Sequence, residues 1–404
     1  MRFAMDITGV VGFAKDFETS KVLSDSATDG LFDVLRDGML ELYKSATNPA
    51  RPAMVWDAGV RKGTAAWKVY KRHMRELVAE VKARGPPSAD DESIAAHLLR
   101  LRDPSRGDAP LDDAALANEF GVYFAAGIES AGNAMTWTTY LISQHPEVEA
   151  KVVAELKGAG LLATSENPKP RAIEYADLAK LPYLGWVCKE AMRVRPVASS
   201  GTTRRVARDL VIRGHLVPKG TVVLCPFDSV HHLESNWGPD AAAFRPERWG
   251  EAACEYLPAL TLSKSGSVIG NGTAEAVSLE ATSSTAAAAG LSPSPSLATS
   301  LSLSTSPSTV VVDGDAYLAA QGDVADVERE KVKRFIPFSV GPRQCIGQSL
   351  ARLMHDGGVA ALYQRFSFRL SERAGGPEQV ESEVVLRLTL QPGKGLWMNA
   401  VPRV

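Results

Sequence analysis

Phe338-Ser339-Val340-Gly341-Pro342-Arg343-Gln344-Cys345-Ile346-Gly347, with the helical pattern QSLARLM directly behind it at residues 348–354, is the stretch that decides how this chain is read. A cysteine just ahead of a helix lies at the positive end of the helix dipole, among backbone N–H groups that favour thiolate over thiol. Gly341 and Gly347 let the backbone turn tightly and come close to a flat ligand, and Phe338 is placed to shield the sulfur from water. Arg343 is placed to meet a ligand carboxylate. A lone cysteine in a glycine-bearing loop is more often a small buried hydrophobe. The spacing of Phe338, Gly341, Arg343, Cys345 and Gly347 within ten residues argues against that reading here.

Working upstream, Glu190-Ala191-Met192-Arg193 puts opposite charges side by side on one helix face. An isolated pair of this kind is ordinarily a solvated ion pair worth little. It gains weight from two segments on its C-terminal side, Arg195-Pro196 and then Phe244-Arg245-Pro246-Glu247-Arg248-Trp249. Further upstream, a long helix is predicted from Asp112 as N-cap to just before His145-Pro146. Its middle reads Ala126-Gly127-Ile128-Glu129-Ser130. Gly127 and Gly132 each weaken a helix by up to about 1 kcal/mol relative to alanine, which suits a local opening beside a ligand. The competing reading is a packed core helix in which the glycines serve helix-to-helix contact and Glu129 makes a salt bridge.

The remaining pattern is mainly α with small β-sheets. Helical periodicity runs from about Thr28 to Ala83 and breaks at Gly85-Pro86-Pro87, while Pro146 and Pro182 fit first positions of further helices. Between Arg204 and Leu224, β-branched residues alternate with turn residues at Arg213-Gly214 and Pro218-Lys219-Gly220, predicting a small antiparallel sheet. A similar alternation, VVLRLTLQP, starts at Val384. Residues 265–312 form a Ser/Ala/Thr/Pro tract whose only charges are Glu275 and Glu280, read as a disordered surface insert.

Composition narrows the class. Forty-five Lys and Arg against 47 Asp and Glu give a net charge of −2, so no overall field draws the chain to nucleic acid or an acidic membrane. Cys188, Cys225, Cys254 and Cys345 contain no CxxC pair, which speaks against a disulfide scaffold or a structural zinc site. The seven histidines form no ligand constellation, and His231-His232 falls in a predicted loop as a satisfied polar pair. The N-terminal MRFAMDITGVVGFAKDFE is neither an anchor nor a signal peptide, so the chain as written is expected to be soluble or peripheral.

The cysteine segment resembles the haem-binding loop FxxGxRxCxG of the cytochrome P-450 family at every specified position. Glu190-x-x-Arg193 is similar to that family's ExxR pair, with Arg248 matching the arginine of a PERF-like segment, and these three are expected to form a buried structural charge triad. Ala126–Ser130 is similar to the family's (A/G)Gx(D/E)T segment, where an acid and a hydroxyl relay protons. Glu129 matches the acid, and Ser130 stands where threonine is usual. Arg204, or alternatively Arg205, falls where the family places another partner for a haem carboxylate. Met354 stands where a glutamate often follows.

The resemblance implies the cytochrome P-450 fold lacking its N-terminal part, since the membrane anchor, first strands, early helices and a WxxxR helix have no counterpart here. It implies residues 1–404 as a single truncated domain, residues 265–312 as an insert within it, and 331–404 as haem-binding loop, following helix and C-terminal strands. The implied cofactor is haem b with Cys345 as axial thiolate and metal ligand; Phe338, Gly341, Arg343, Gly347 and Arg204 are the other cofactor-binding candidates, and Glu129 and Ser130 the catalytic ones. The implied reaction inserts one oxygen atom from O2 into a small organic substrate, with electrons from an NADPH-fed reductase and NADPH itself only indirectly involved. Arg329, Lys331, Lys333 and Arg334 are candidate docking charges for that reductase. Whole family members are implied to sit on the cytosolic face of the endoplasmic reticulum membrane. Two alternatives stay open: a peroxide-rearranging haem-thiolate enzyme, and a non-catalytic haem-binding remnant.

Overall fold

The computed structural model describes residues 2–21, 31–163, 168–212, 214–250, 310–311 and 334–403. The predicted insert, apart from residues 310–311, and the docking candidates Arg329, Lys331 and Lys333 lie outside them. The helices are α1 Arg2–Phe13, α2 Leu31–Thr47, α3 Ala58–Ala83, α4 Ile94–Arg100, α5 Asp113–Gln144, α6 Pro146–Gly158, α7 Pro182–Val194, α8 Phe227–His232, α9 Glu234–Trp237, α10 Gln348–Arg365 and α11 Pro377–Ser382. The short strands are β1 Arg102–Asp103, β2 Ala109–Pro110, β3 Thr202–Arg205, β4 Leu210–Ile212, β5 His215–Val217, β6 Val222–Cys225, β7 Val310–Val311, β8 Phe366–Leu370, β9 Val384–Leu386, β10 Leu390–Pro392 and β11 Met398–Pro402.

Local chemistry sets the helix boundaries. Asp57, Ser93 and Asp112 cap α3, α4 and α5, each accepting from the backbone N–H three residues on. Pro146 and Pro182 open α6 and α7, where a missing N–H costs nothing. His231 and His232 close the short helix α8 instead of lying in the loop that adjacency suggested. A six-residue helix carries too little periodicity to be seen in sequence.

The chain divides into two compact units. The first comprises residues 1–202, 225–250 and 330–404. Its core groups Phe13, Phe120 and Phe124 with residues of α2, α3 and α4, and a second cluster joins α6, α7 and α10 through Val152, Leu184, Val187 and Tyr363. The hairpin β9–β10 pairs Val384 with Pro392 and Leu386 with Leu390, and β8 runs antiparallel to β11. The second unit, residues 203–224 and 251–329, holds most of the predicted sheet. There β4 and β5 form a tight hairpin, β3 pairs with β6, and Asp209 caps the Pro218–Gly220 turn by accepting from Lys219 N–H at 2.7 Å. Among the described residues, no helix is long and apolar enough to cross a membrane.

Helix α5 runs unbroken through Ala126–Ser130, so its glycines open no gap. A Cβ on Gly127 would stand 2.9 Å from Oγ1 and 3.1 Å from Cγ2 of Thr8 on α1. Gly127 therefore permits close approach of two helices, the packing role that the competing reading assigned to it.

Candidate functional site

The site is built outward from a buried charge cluster. Glu190 and Arg193 on α7 are both fully buried. The guanidinium of Arg193 donates all five of its N–H groups: Nε and Nη2 to the two Glu190 oxygens, Nη1 to the His231 and Ala241 carbonyls, and Nη2 again to the Ala243 carbonyl. The carboxylate of Glu190 accepts three further bonds, from Arg245 N–H at 3.0 Å, Arg248 Nε at 2.8 Å and Trp249 Nε1 at 2.9 Å. Arg248 also meets Asp240 at 3.2 Å. Glu190 thus sits between two buried arginines, Arg193 and Arg248, and Arg248 shares its charge with the part-exposed Asp240, so the buried charges are paired.

His231 connects this cluster to the cysteine segment. Its carbonyl accepts from Arg193, and its Nε2 accepts from Ile336 N–H at 2.9 Å. Burial, with the Arg193 charge beside it, pulls the His231 pKa down to about 3, so the ring is neutral and its Nε2 lone pair available. The ring also packs against Phe335 and Trp237. The residue read as one of a bland polar pair is therefore a peg that holds the entry to the loop. No spacing rule joins residues that lie 105 positions apart.

From Ile336 the chain turns sharply. Ser339 takes φ 63° and Gly341 φ 79°, a short 3₁₀ turn spans Gly341–Arg343, and Cys345 N–H donates back to the Phe338 carbonyl at 2.8 Å. The loop closes on itself and delivers Cys345 just ahead of α10, whose N-cap is Gly347. A Cβ on Gly347 would meet one atom within 4 Å, the Cys345 Sγ at 3.9 Å. The sulfur therefore sits beside the start of the helix. Cys345 is exposed, and so are Gly341 and Arg343. Phe338 is half-buried and carries the Arg352 guanidinium 5.5 Å from its ring centre.

The helix segment Ala126–Ser130 is gripped from the C-terminal end of the chain. Glu129 Oε1 accepts from Thr389 Oγ1 at 2.6 Å and from Gln391 Nε2 at 3.3 Å, while Asn133 Nδ2 donates to the Thr389 oxygen at 2.8 Å. Glu129 is thus held by neutral donors at the tip of the β9–β10 hairpin, not by the salt bridge of the packing reading. Ser130 Oγ donates to the Ala126 carbonyl one turn back, at 2.6 Å. Arg204 lies exposed in the second unit with its guanidinium on the Thr203 carbonyl, and Arg205 reaches the Gly220 carbonyl. Arg334, read as a docking charge, is half-buried and donates to the Asn236 carbonyl at 3.2 Å. An apolar cavity of about 990 Å³ between α1, α5 and α10 is lined by residues such as Phe3, Met135, Leu353 and Phe366, and by none of Cys345, Glu129 or Ser130.

A flat iron macrocycle with carboxylates on its rim, as the resemblance implies, asks for a soft donor, a cation at its edge and apolar surface beneath. The residues present fit. Cys345 supplies the exposed sulfur, Arg343 the exposed guanidinium, and Val340 and Ile346, 59% and 82% exposed, apolar surface that a soluble loop would otherwise hide. Nothing lies within 4 Å of where a Gly341 side chain would begin.

Comparison with known proteins points the same way. The chain is 29% identical over 298 residues to the cytochrome P-450 monooxygenase sphH of Aspergillus fumigatus, covering 68% of this chain and 52% of that one. It is 26% identical over 419 residues to the cytochrome P-450 monooxygenase ALT8 of Alternaria alternata, covering 98% of this chain and 60% of that one. It is 26% identical over 333 residues to secologanin synthase 1 of Catharanthus roseus, covering 81% of this chain and 46% of that one. The chain thus spans about half the length of the curated relatives it matches. The cytochrome P-450 sequence profile matches residues 1–258 and 317–397, passing over the Ser/Ala-rich tract and taking in the ExxR cluster and the cysteine loop. With well over half its residues matched, the chain belongs to the cytochrome P-450 family.

Proposed function

We propose that the protein acts as a haem-thiolate monooxygenase, with Cys345 as the residue that ligates the haem iron. The observation that carries this reading is the exposed Cys345 sulfur on a tight, self-bonded loop at the start of α10, with exposed Val340, Ile346 and Arg343 around it. When bound, haem would supply oxygen-activating redox chemistry, and the Cys345 thiolate would hold its iron.

The chain's own residues hold and tune that group. Gly341 and Gly347 would let the loop approach the macrocycle closely, and Arg343 would meet one of its carboxylates. The His231 peg and the Glu190–Arg193–Arg248 cluster fix the loop against rotation, so the sulfur is oriented before the cofactor arrives. Glu129 is assigned the proton-handling role and Ser130 the accompanying hydroxyl. The Thr389 and Gln391 donors orient the Glu129 carboxylate for that role.

The substrate is a small organic molecule and the electron donor an NADPH-dependent reductase, consistent with a cytosolic-face location on the endoplasmic reticulum for the whole protein. NADPH consumption by the haem-loaded chain with a flavin reductase, stimulated by an oxidisable substrate, supports the assignment. Turnover of organic hydroperoxide without NADPH, and none with it, favours the peroxide-rearranging alternative. Haem binding with neither activity favours the non-catalytic remnant.

A further inference from the structure

The first unit contains a second cysteine in a chemically different setting, one that the haem-thiolate reading does not use. Cys188 on α7 is fully buried, and His355 and Asp356 on α10 face it. One ligand atom from each of the three lies within 4.8 Å of the others. Among the described residues, this is the one such grouping of histidine, cysteine and acid. The thiol of Cys188 donates to the Asp356 carboxylate.

The histidine supplies the independent observation. His355 is 1% exposed, and its Nδ1 is buried with no hydrogen-bond partner, 3.9 Å from the Asp356 Oδ1. Its Nε2 is 2.7 Å from Thr138 Oγ1. Thr138 has one hydroxyl proton, which we assign to the Ala134 carbonyl one turn back, at 2.9 Å. With that assignment the Thr138 oxygen accepts from His355 Nε2–H, which leaves Nδ1 as a bare lone pair 3.9 Å from the Asp356 Oδ1. A buried imidazole lone pair left unpaired is costly unless something electrophilic meets it. An imidazole whose far N–H is fixed by an outer partner is also the usual arrangement of a metal-ligating histidine.

We propose that Cys188, His355 and Asp356 form a binding site for a borderline-soft divalent cation of the zinc type. Thiolate, imidazole and carboxylate are a donor set that zinc accepts, with bonds of about 2.0–2.3 Å. Tetrahedral ligands at those lengths lie roughly 3.3–3.8 Å apart. The longest edge must therefore contract by about 1 Å, and Asp356, whose side chain is 31% exposed, is the partner free to turn. On binding, the Cys188 proton is released to solvent as the sulfur–metal bond forms, with no change of oxidation state. Such a cation would pin α7, which carries Glu190 and Arg193, to α10, which follows Cys345. The inference does not depend on haem, since none of its ligands belongs to the cysteine loop.

The test uses Co2+ as the probe, added to the purified full chain under reducing conditions without chelator. A thiolate-to-cobalt charge-transfer band that saturates at one equivalent and is displaced by Zn2+ is expected. Cys188→Ser abolishes the band and Cys345→Ser retains it. Asp356→Asn, a change at a partly exposed position that leaves the fold intact, weakens cobalt binding at least tenfold. Thr138→Val, which frees the His355 ring, weakens it about 10–100-fold. Absence of the band in the folded wild-type chain, or a band unchanged by both Cys188→Ser and Asp356→Asn, overturns the proposal.

Discussion

Replacing Glu190 with glutamine keeps the volume and removes one charge from a fully buried ion pair. In the wild type, the Glu190 carboxylate accepts five donors, two of them from the fully buried Arg193. A glutamine has one oxygen and one NH2, so in either orientation at least two of those donors face another donor. Breaking a buried pair by removing one partner costs about 3–5 kcal/mol. A loss near 4 kcal/mol is a large part of the roughly 5–15 kcal/mol by which domains are stable. At about 2 °C per kcal/mol for a unit of this size, it lowers the unfolding midpoint by about 8 °C. Arg248→Met is the internal comparison. It leaves Glu190 paired with Arg193 and removes a residue that shares its charge with Asp240, so the expected cost is smaller, about 1–3 kcal/mol. Thermal unfolding by circular dichroism measures both. If Glu190→Gln costs under 1 kcal/mol, or Arg248→Met costs as much as Glu190→Gln, the cluster is not organised around Glu190 and the reasoning fails.

Other consequences are accessible to similar measurements. His231 has a folded pKa of about 3 against 6.5 for a free imidazole, so the unfolded state takes up the proton first and stability is lost as pH falls below 6.5. His231→Gln cannot titrate; its deficit relative to wild type should therefore shrink by about 2 kcal/mol between pH 7 and pH 5, and a pH-independent deficit contradicts the buried neutral peg. Gly127→Ala should destabilise by about 1–2 kcal/mol through contact with Thr8, despite alanine's better helix propensity, and Thr8→Ala should restore most of that loss. A stabilising Gly127→Ala would refute the close-packing role. Thr389→Val removes a charge-assisted bond to Glu129 and should cost about 2 kcal/mol. In a double-mutant cycle with Glu129→Gln, the two changes should couple by more than about 0.5 kcal/mol, and strict additivity would show that the contact carries no energy.

What could be read in the sequence was what is local. Asp112 as N-cap, Pro146 and Pro182 as first helical residues, and the β-branched alternation at residues 384–392 each act within a few positions, so pattern alone locates them. Glu190, Arg193 and Arg248 were legible because three separated motifs occur in a recognisable order. The contacts that no pattern exposes span the chain: Thr389 on Glu129, His231 on Ile336, and Thr8 against Gly127. Each joins residues through tertiary packing, and neither propensity nor periodicity carries that information. Gly127 is instructive because a glycine in a helix has the same sequence signature whether it opens the helix or admits a neighbour. Arg334 is another case, since its bond to the Asn236 carbonyl joins residues 98 positions apart.

The central claim rests on one sulfur, and the reduced carbon monoxide spectrum of the haem-reconstituted chain tests it most directly. Wild type and Cys188→Ser should both show the red-shifted Soret band of thiolate-ligated haem, and Cys345→Ala should lose it while remaining folded. The same band in Cys345→Ala, or its loss in Cys188→Ser with Cys345 intact, would place the ligand elsewhere and contradict the account.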